Sequence, residues 1–193
     1  RVVTLRLPDE GVQEFTIHKL PLEFLKLFAQ GERLDKLRDS GQFNLDSPWE
    51  EYTHDERALY YNTQTEGYTL RFPLKGVCNT TDDTGGSNNF DEDHLSASRL
   101  DALRDAGQLK PKSPWQEYTC LEKGGRKLYQ HEGKHTVTTL RLPAEGVSDS
   151  SVDPNPENFQ RAFQRAERLD ELRDSGKLNS DSKWKGYTSE GRT

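Results

Sequence analysis

The chain has 193 residues, of which 31% are hydrophobic and 31% are charged, and its formal net charge is −6. So few apolar residues cannot build one large core, and we therefore expect several small modules rather than one globule. The acidic balance argues against non-specific nucleic-acid binding, and no run of about 18 apolar residues predicts a membrane span.

A three-part pattern recurs along the chain about two and a half times. Each copy has a leucine-rich helix that ends in glycine, a Trp-to-Tyr segment, and a strand that reads Thr-Leu-Arg-apolar-Pro. The period is roughly 65 to 70 residues, close to the size at which a single core is marginal. We therefore expect a tandem α+β array in which each module combines one amphipathic helix with a segment that contains a strand.

In chain order, residues 1–12 are predicted to hold the C-terminal strand of a preceding module, from Thr4 to Pro8. Helices are predicted over 20–41, 90–107 and 156–176. Sheet modules are predicted over 44–77 and 110–147, and a further one is predicted to begin over 179–193. Polar stretches rich in Gly, Ser, Asp and Pro predict linkers over 78–89 and 148–155.

The third helix has the clearest pattern. Its apolar residues recur at helical spacing and predict one buried face, formed by Phe159, Ala162, Phe163, Ala166, Leu169 and Leu172. Asn155 and Pro156 predict the N-cap and the first helical residue. A left-handed stop is predicted at the end of each helix, at Gly41, Gly107 and Gly176. The repeated aspartates, Asp35 and Asp39 in the first copy, are interpreted as exposed charges that pair with neighbours such as Arg38.

A second motif lies between the helices. It begins with Trp49-Glu50-Glu51-Tyr52 and Tyr60-Tyr61-Asn62 and continues with Thr65, Thr69 and Pro73. The next copy keeps Trp115, Tyr118, Tyr129, Thr139 and Pro143, with His131 in place of the asparagine. This pattern resembles the WW domain, a three-stranded antiparallel sheet that binds proline-rich peptides. The resemblance covers the two sheet modules and does not extend to the helices.

The resemblance implies two groups of positions in each sheet. On one face, a Trp, a Tyr and a Pro would form the structural cluster of the fold: Trp49, Tyr60 and Pro73, and Trp115, Tyr129 and Pro143. On the other face, the ligand groove would comprise Tyr52, Leu59 and Leu70, and Tyr118, Leu128 and Leu140. Three short strands bury little apolar surface, so the structural cluster is needed for stability.

The groove departs from the family pattern at two positions in each copy. Leu70 or Leu140 replaces the second Trp, and Leu59 or Leu128 replaces the groove tyrosine. Leucines give an apolar surface without the flat aromatic walls that hold a polyproline helix. Because an exposed leucine pair would be an adhesive patch, we expect each module's own leucine-rich helix to cover it. Docking of an apolar helix or segment of another protein is the alternative.

The leading functional hypothesis is a non-catalytic scaffold or linker protein. It would make protein–protein contacts within a larger hetero-oligomeric assembly through its repeated modules. One alternative is an adaptor that binds proline-rich peptides, favoured by the retained Tyr52 and Tyr118. Another is a structural subunit of an organellar membrane or photosynthetic supercomplex. The expected partners are proteins that present an apolar helix or a proline-rich segment, and nucleic acid is not among them.

An enzyme is a further class that the sequence does not favour. No Gly-rich phosphate loop or nucleophile motif is present, and the histidines fall at unrelated repeat positions: His18, His54, His94, His131 and His135. Cys120 with His131 and His135 could be drawn as a metal site, but chance placement on a hairpin is the simpler interpretation. No catalytic residue, metal or cofactor is therefore predicted. Cys78 and Cys120 occupy non-equivalent repeat positions, which predicts free thiols in a reducing compartment inside the cell, either the cytoplasm or an organelle interior.

Overall fold

The computed structural model describes residues 3–6, 21–82, 90–120, 125–133, 137–153 and 155–179. The chain divides into two compact units, Arg1–Leu109 and Lys110–Thr193. Within the described residues, the first unit holds two helices and a four-stranded sheet, and the second holds one helix and another four-stranded sheet. The predicted α+β class is confirmed. No helix in this part of the chain is long and apolar enough to cross a membrane.

Several predicted features lie outside the described residues. They are Pro8, His18, His135, the second part of the first predicted linker, and the sheet module predicted over 179–193 beyond its first residue. The groove residues and structural-cluster residues of both predicted sheets all lie inside the described ranges. The comparison between prediction and structure therefore rests on the two sheets and the helices beside them.

The described residues form three helices: α1 (Pro21–Asp39), α2 (Phe90–Asp105) and α3 (Pro156–Asp174). The predicted start of α3 is confirmed, since the Asn155 side chain accepts a hydrogen bond from the Asn158 amide at 3.0 Å, and Pro156 follows it. The predicted left-handed stops are also confirmed, with φ angles of 69°, 66° and 66° at Gly41, Gly107 and Gly176. Each helix ends just before its glycine because the left-handed backbone breaks the helical hydrogen-bond pattern.

Each sheet has four strands, not the three that the WW resemblance implies. The first contains β1 (Trp49–His54), β2 (Arg57–Asn62), β3 (Gly67–Thr69) and β4 (Asn79–Asp82), in the order β3-β2-β1-β4. The second contains β5 (Trp115–Cys120), β6 (Arg126–His131), β7 (Thr138–Thr139) and β8 (Asp149–Val152), in the order β7-β6-β5-β8. The first three strands of each sheet pair antiparallel. The fourth pairs parallel with the first.

The fourth strands lie in stretches whose composition predicts linkers, and that prediction is wrong for these strand residues. One polar side chain in each of these strands is withdrawn from solvent, since Thr80 is 1% and Ser150 is 3% exposed. The two hydroxyls donate hydrogen bonds to buried glutamates of the adjacent strands, to Glu51 at 2.8 Å and to Glu117 at 2.9 Å. A buried carboxylate needs donors of this kind. A polar segment therefore becomes a strand where composition alone indicates a loop.

A tight turn after β3 carries the chain across the sheet to β4. Gly76 has a φ of 75°, and a Cβ atom at this position would lie 2.3 Å from the Gln42 carbonyl oxygen, so the turn requires glycine. The next residue, Val77, is fully buried, and its amide donates to the same carbonyl at 3.0 Å. The Ser47 hydroxyl donates to the Gly76 carbonyl at 2.6 Å. These bonds tie the turn to the segment after α1 and place β4 beside β1.

Helices of the same unit cover both faces of the first sheet. Successive residues of a strand point to opposite faces, so Leu59 and Tyr60 of β2 belong to different clusters. Tyr60 faces α1, in a cluster with Leu34, Leu37 and Val77. Leu59 faces α2, in a cluster with Phe90 and Ala97. The sheet is therefore the middle layer between two helices.

Candidate functional site

The groove positions of the first sheet meet on one face. Tyr52 and Leu59 are direct partners across β1 and β2, and Leu70 lies in the same cluster. Leu59 is 2% exposed, because Phe90 and Ala97 of α2 pack over it. The face that the WW resemblance assigns to a ligand is therefore occupied by a helix of the same chain.

The helix on this face is the one that follows the sheet, not the module's own preceding helix, which corrects the expectation from sequence. The preceding helix, α1, packs on the opposite face through Leu34 and Leu37. Two interactions hold α1 there. The segment after its C-terminal end is hydrogen-bonded to the Gly76 turn, and Arg33 forms an ion pair with Glu51. Helix α2 begins after β4 and covers the free face.

The second sheet repeats the arrangement with α3. Its groove positions are Tyr118, Leu128 and Leu140, and Leu128 is buried. The residues of α3 that cover them are Phe159 and Ala166, with Ala162 and Phe163 beside these. Cys120, which is predicted to be a free thiol, is buried in the same cluster. The groove is therefore filled by a helix in both sheets.

A repeated set of hydrogen bonds fixes the Thr-Leu-Arg strand to the helix that covers it. The hydroxyl of Thr69 lies 2.9 and 3.0 Å from the two carboxylate oxygens of Asp101 on α2. The Leu70 amide donates to the same carboxylate at 2.9 Å. We call this arrangement of Thr69, Leu70 and Asp101 the Asp clasp. One helical turn further on, Arg71 pairs with the exposed Asp105.

The Asp clasp recurs in the second unit with the same atoms. The Thr139 hydroxyl lies 2.9 and 3.0 Å from the carboxylate oxygens of Asp170 on α3. The Leu140 amide donates to Asp170 at 2.8 Å, and Arg141 donates to Asp174 at 2.8 Å. The Thr-Leu-Arg motif, the most regular part of the repeat, is therefore a docking element for the following helix.

A third Asp clasp lies at the start of the chain. The Thr4 hydroxyl donates to Asp35 of α1 at 2.8 Å, and the Leu5 amide donates to it at 3.0 Å. The predicted pairing of Asp35 with Arg38 is confirmed, but the prediction that Asp35 is exposed is wrong, because it is 7% exposed. Asp39 is exposed, as predicted, and it forms an ion pair with Arg6.

The Asp35 carboxylate is held in its ionised form. Burial acts to raise the pKa of Asp35, but the hydrogen bonds from Thr4 and Leu5 and the nearby Arg38 together hold that pKa below its usual value. Such a carboxylate is a fixed acceptor and a poor general acid or base near neutral pH. In this third Asp clasp, Asp35 therefore serves as a fixed acceptor that ties Thr4 and Leu5 to α1.

The residues of the implied structural cluster lie on the opposite face. Trp49 and Tyr60 pack around the α1 leucines, and Tyr60 meets the Phe72 ring edge-on, with ring centroids 5.4 Å apart. Pro73 is buried in the following turn, where its carbonyl accepts the Gly76 amide at 2.9 Å. In the second sheet Tyr129 and Pro143 are buried, and Trp115 meets the His131 ring edge-on at 5.2 Å.

A buried glutamate lies at the centre of this face, and sequence reasoning missed it. Glu51 is fully buried and accepts two hydrogen bonds from the Arg33 guanidinium at 2.8 and 2.7 Å. The Thr80 and Tyr60 hydroxyls also donate to it, at 2.8 and 3.3 Å. Burial, and then the charge of Glu51, raises the pKa of Tyr60 to about 12. The sequence does contain a signal for this buried residue, because the second copy of the Trp-to-Tyr segment has a glutamate, Glu117, at the position of Glu51.

The described residues do not support a metal centre or a reactive thiol. They contain no group of three or more histidine, cysteine or acidic side chains that could hold a metal ion. His135, one member of the conceivable site with Cys120 and His131, lies outside them. Burial raises the pKa of the Cys78 thiol, which is the opposite of the lowered pKa that activates a nucleophilic cysteine.

Comparison with protein-family models, with curated proteins and with solved structures finds no match for this chain.

Proposed function

We propose that the protein is a non-catalytic scaffold that mediates protein–protein contacts within a larger assembly through its repeated helix–sheet modules. The observation that carries this proposal is the occupied groove, because Leu59 and Leu128 are each covered by the following helix of the chain. Tandem units that are each built on the same repeated docking motif are typical of scaffold repeats. The network around Glu51 fixes the preceding helix in the same way.

Energetics count against the alternative, an adaptor for proline-rich peptides. A peptide in the groove of the first sheet would have to displace Phe90 and break the Asp clasp at Asp101. Exposing the phenylalanine and losing the buried hydrogen bonds would cost on the order of 5 kcal/mol. A ligand with micromolar intrinsic affinity has about −8 kcal/mol of binding free energy. Competition with α2 would therefore weaken it to millimolar affinity or beyond.

The first test titrates a panel of proline-rich peptides into the intact chain and follows the amide signals of Tyr52, Leu59 and Leu70 by NMR. A scaffold with an occupied groove predicts no saturable shifts below millimolar peptide. The control is the double variant Phe90→Ala/Asp101→Ala, in which α2 is held less firmly over the groove. Micromolar binding to the unmodified chain that Tyr52→Ala abolishes would support the adaptor and contradict the scaffold.

The second test concerns assembly. A tagged copy of the chain, expressed in its source cells, is extracted gently and separated by native size-exclusion chromatography. The scaffold predicts elution well above the 22.1 kDa of the chain itself. Elution at the size of the isolated chain, unchanged by chemical cross-linking before lysis, would contradict the proposal.

A further inference from the structure

Where the covering helix meets its sheet, the first unit has two histidines at positions that are apolar in the second unit. The strand registers put His54, the last residue of β1, at the position of Cys120 in β5. Alignment of α2 and α3 on the aspartates of their Asp clasps puts His94 at the position of Phe163. Cys120 is 1% exposed, and Phe163 packs against its cluster. An apolar contact of the second unit is therefore replaced by two ionisable side chains in the first.

Both histidines lie against Phe90, the residue of α2 that covers Leu59. The ring centroids of His54 and His94 are 5.4 and 5.7 Å from the centroid of the Phe90 ring. The guanidinium carbon of Arg57 lies 5.2 Å from the same centroid. Phe90 is therefore surrounded by one permanent cation and by two side chains that become cations in mildly acidic solution.

The second unit shows what the replacement of the apolar side chains changes. There Arg126 lies over the Phe163 ring, with its guanidinium carbon 5.3 Å from the ring centroid, which is an attractive contact between sheet and helix. The equivalent arginine of the first sheet is Arg57, and it faces a helix that has His94 in place of that ring. A neutral His94 tolerates the guanidinium, whereas a protonated His94 repels it.

The carboxylates around the two histidines offset this repulsion only in part. Asp91 on α2 pairs with Arg57 at 2.9 Å, and its side chain is 73% exposed. Asp55, in the turn after β1, has a carboxylate oxygen 3.5 Å from Nε2 of His54, and its side chain is 78% exposed. Water and salt weaken the attraction of such exposed charges. Two further carboxylates border the site, at the end of β4 and in the first turn of α2: Asp82, beside Thr53 of β1, and Asp93, which interacts with Tyr68 of β3.

The electrostatics of His94 favour its neutral form in the folded chain. Burial, and then the charge of Arg57, lowers the pKa of His94, while Asp91 acts to raise it. Because the folded-state pKa is the lower one, the neutral ring contributes stability that is complete above the usual histidine value of about 6.5 and is lost as the pH falls through the folded-state value. At His54 the Nδ1 atom is buried and has no hydrogen-bond partner among the described residues. A protonated His54 ring would have an N–H there without an acceptor from these residues.

We propose that α2 is a pH-sensitive cover of the first sheet, in which protonation of His54 and His94 in mildly acidic solution releases Phe90 and opens the groove. Helix α3 lacks the two histidines and stays closed over the second sheet. The Asp clasp at Asp101 lies near the C-terminal end of α2, so the helix stays attached there while its N-terminal end moves. The inference rests on the proposed scaffold function, because it adds regulation to one of the grooves whose occupation carries that function.

The test is a pH series on the intact chain from about pH 7.5 to about pH 5, a range in which histidine becomes protonated while most carboxylates stay ionised. Hydrogen exchange, corrected for the intrinsic rate at each pH, gives the protection factors of the amides in α2 and α3. Protection in α2 is expected to fall by about tenfold or more, because like charges this close repel by several times the thermal energy. Protection in α3 is expected to stay constant. NOEs from the Leu59 methyl groups to the Phe90 ring are expected to weaken over the same range.

The matched variants give each histidine the residue that the second unit has at its position. His54→Cys and His94→Phe are each expected to reduce the fall in α2 protection, and the double variant is expected to abolish it. The control is His131→Asn, which removes a histidine that lies against Trp115 and replaces it with the residue of the first sheet at that position, Asn62. This control is expected to leave the fall unchanged.

Constant protection of α2 across the pH series would overturn the inference, and so would an equal fall in α3. A fall that persists in the double variant, or that His131→Asn abolishes, would overturn it as well. The series on the parent chain decides the first two outcomes even if a variant does not fold, which circular dichroism at neutral pH checks. If α2 stays closed at every pH but the chain elutes in a large assembly, only this inference fails. Elution at the size of the isolated chain contradicts the scaffold function and leaves the measured pH response as it is.

Discussion

Asp101 on α2 receives the hydroxyl of Thr69 between its two carboxylate oxygens, at 2.9 and 3.0 Å, at a site where both residues are buried. Replacing Asp101 with alanine leaves this hydroxyl and the Leu70 amide without an acceptor. We expect Asp101→Ala to lower the free energy of unfolding of the first unit by about 3 kcal/mol, since each unpaired buried donor costs about 1–3 kcal/mol. Urea denaturation followed by hydrogen exchange of the β2 and β3 amides measures the effect.

The matched control is Asp105→Ala, one turn further along the same helix. This change removes only the exposed pair with Arg71, and such pairs contribute about 0–1 kcal/mol. Equal losses from the two variants would show that the Asp clasp does not hold the sheet to α2. The same contrast is available in the second unit with Asp170 and Asp174.

The Glu51 network predicts a second large effect. Glu51→Ala leaves Arg33, Thr80 and Tyr60 without their shared acceptor in a buried site. Removing one partner of a buried ion pair costs about 3–5 kcal/mol, and we expect the lower end because Arg33 is partly exposed and can be hydrated. The adjacent Glu50 is the control.

Glu50→Ala removes one hydrogen bond from the Tyr52 hydroxyl on the opposite face, so the expected loss is below about 1 kcal/mol. Both variants are compared by urea denaturation of the intact chain. A loss from Glu51→Ala no greater than that from Glu50→Ala would contradict a structural role for the buried network.

Helix positions and stops could be predicted from the sequence because they depend on local signals. The N-cap at Asn155 and the left-handed glycine at Gly176 act within a few residues of the helix end. The fourth strand of each sheet could not be predicted, because Thr80 and Ser150 form strands only through acceptors on a distant segment. Polar composition, which usually predicts a linker, gave the wrong answer there.

The candidate site was predicted only in part. Which positions share the groove face follows from strand alternation, and the structure brings Tyr52, Leu59 and Leu70 together. Which helix covers them depends on the chain crossing from β3 to β4, and that crossing follows from the Gly76 turn and the parallel strand. The repeated Asp101-type aspartate was visible in the sequence, but its partner, a threonine about thirty residues earlier in the chain, was not.

The Gly76 turn gives a prediction about stability. In Gly76→Ala the new Cβ would lie 2.3 Å from the Gln42 carbonyl oxygen at a φ of 75°, so the turn must shift and β4 with it. We expect a loss of more than about 2 kcal/mol in thermal or urea unfolding. Gly41→Ala is the control.

Gly41 has a similar φ of 69°, but nothing lies within 4 Å of a Cβ at this position. Only the backbone preference is lost in Gly41→Ala, which costs about 1 kcal/mol. If the two glycine variants proved equally stable, close packing of the turn against the segment after α1 would not be what fixes β4.

The phenol of Tyr60 predicts a pH dependence. Its pKa is raised to about 12 by burial and by Glu51, above the usual value of about 10. Because the folded-state pKa is the higher one, the neutral phenol contributes stability that is complete below about pH 10 and is lost as the pH rises towards about 12. Tyr60→Phe should therefore lose less stability than the parent over this range, measured by urea denaturation at stepped alkaline pH. If the free energy of unfolding of the two proteins fell in parallel with rising pH, the raised pKa of Tyr60 would not be the cause of the loss.

The central claim is that each groove is closed by the helix that follows its sheet. The most direct measurement is a methyl NMR experiment on the intact chain with labelled leucine and alanine methyl groups and phenylalanine rings. The occupied groove predicts NOEs from the Leu59 methyl groups to the Phe90 ring and the Ala97 methyl group, unchanged by excess proline-rich peptide. Absence of these NOEs, together with Leu59 shifts that saturate as the peptide is added, would contradict the claim.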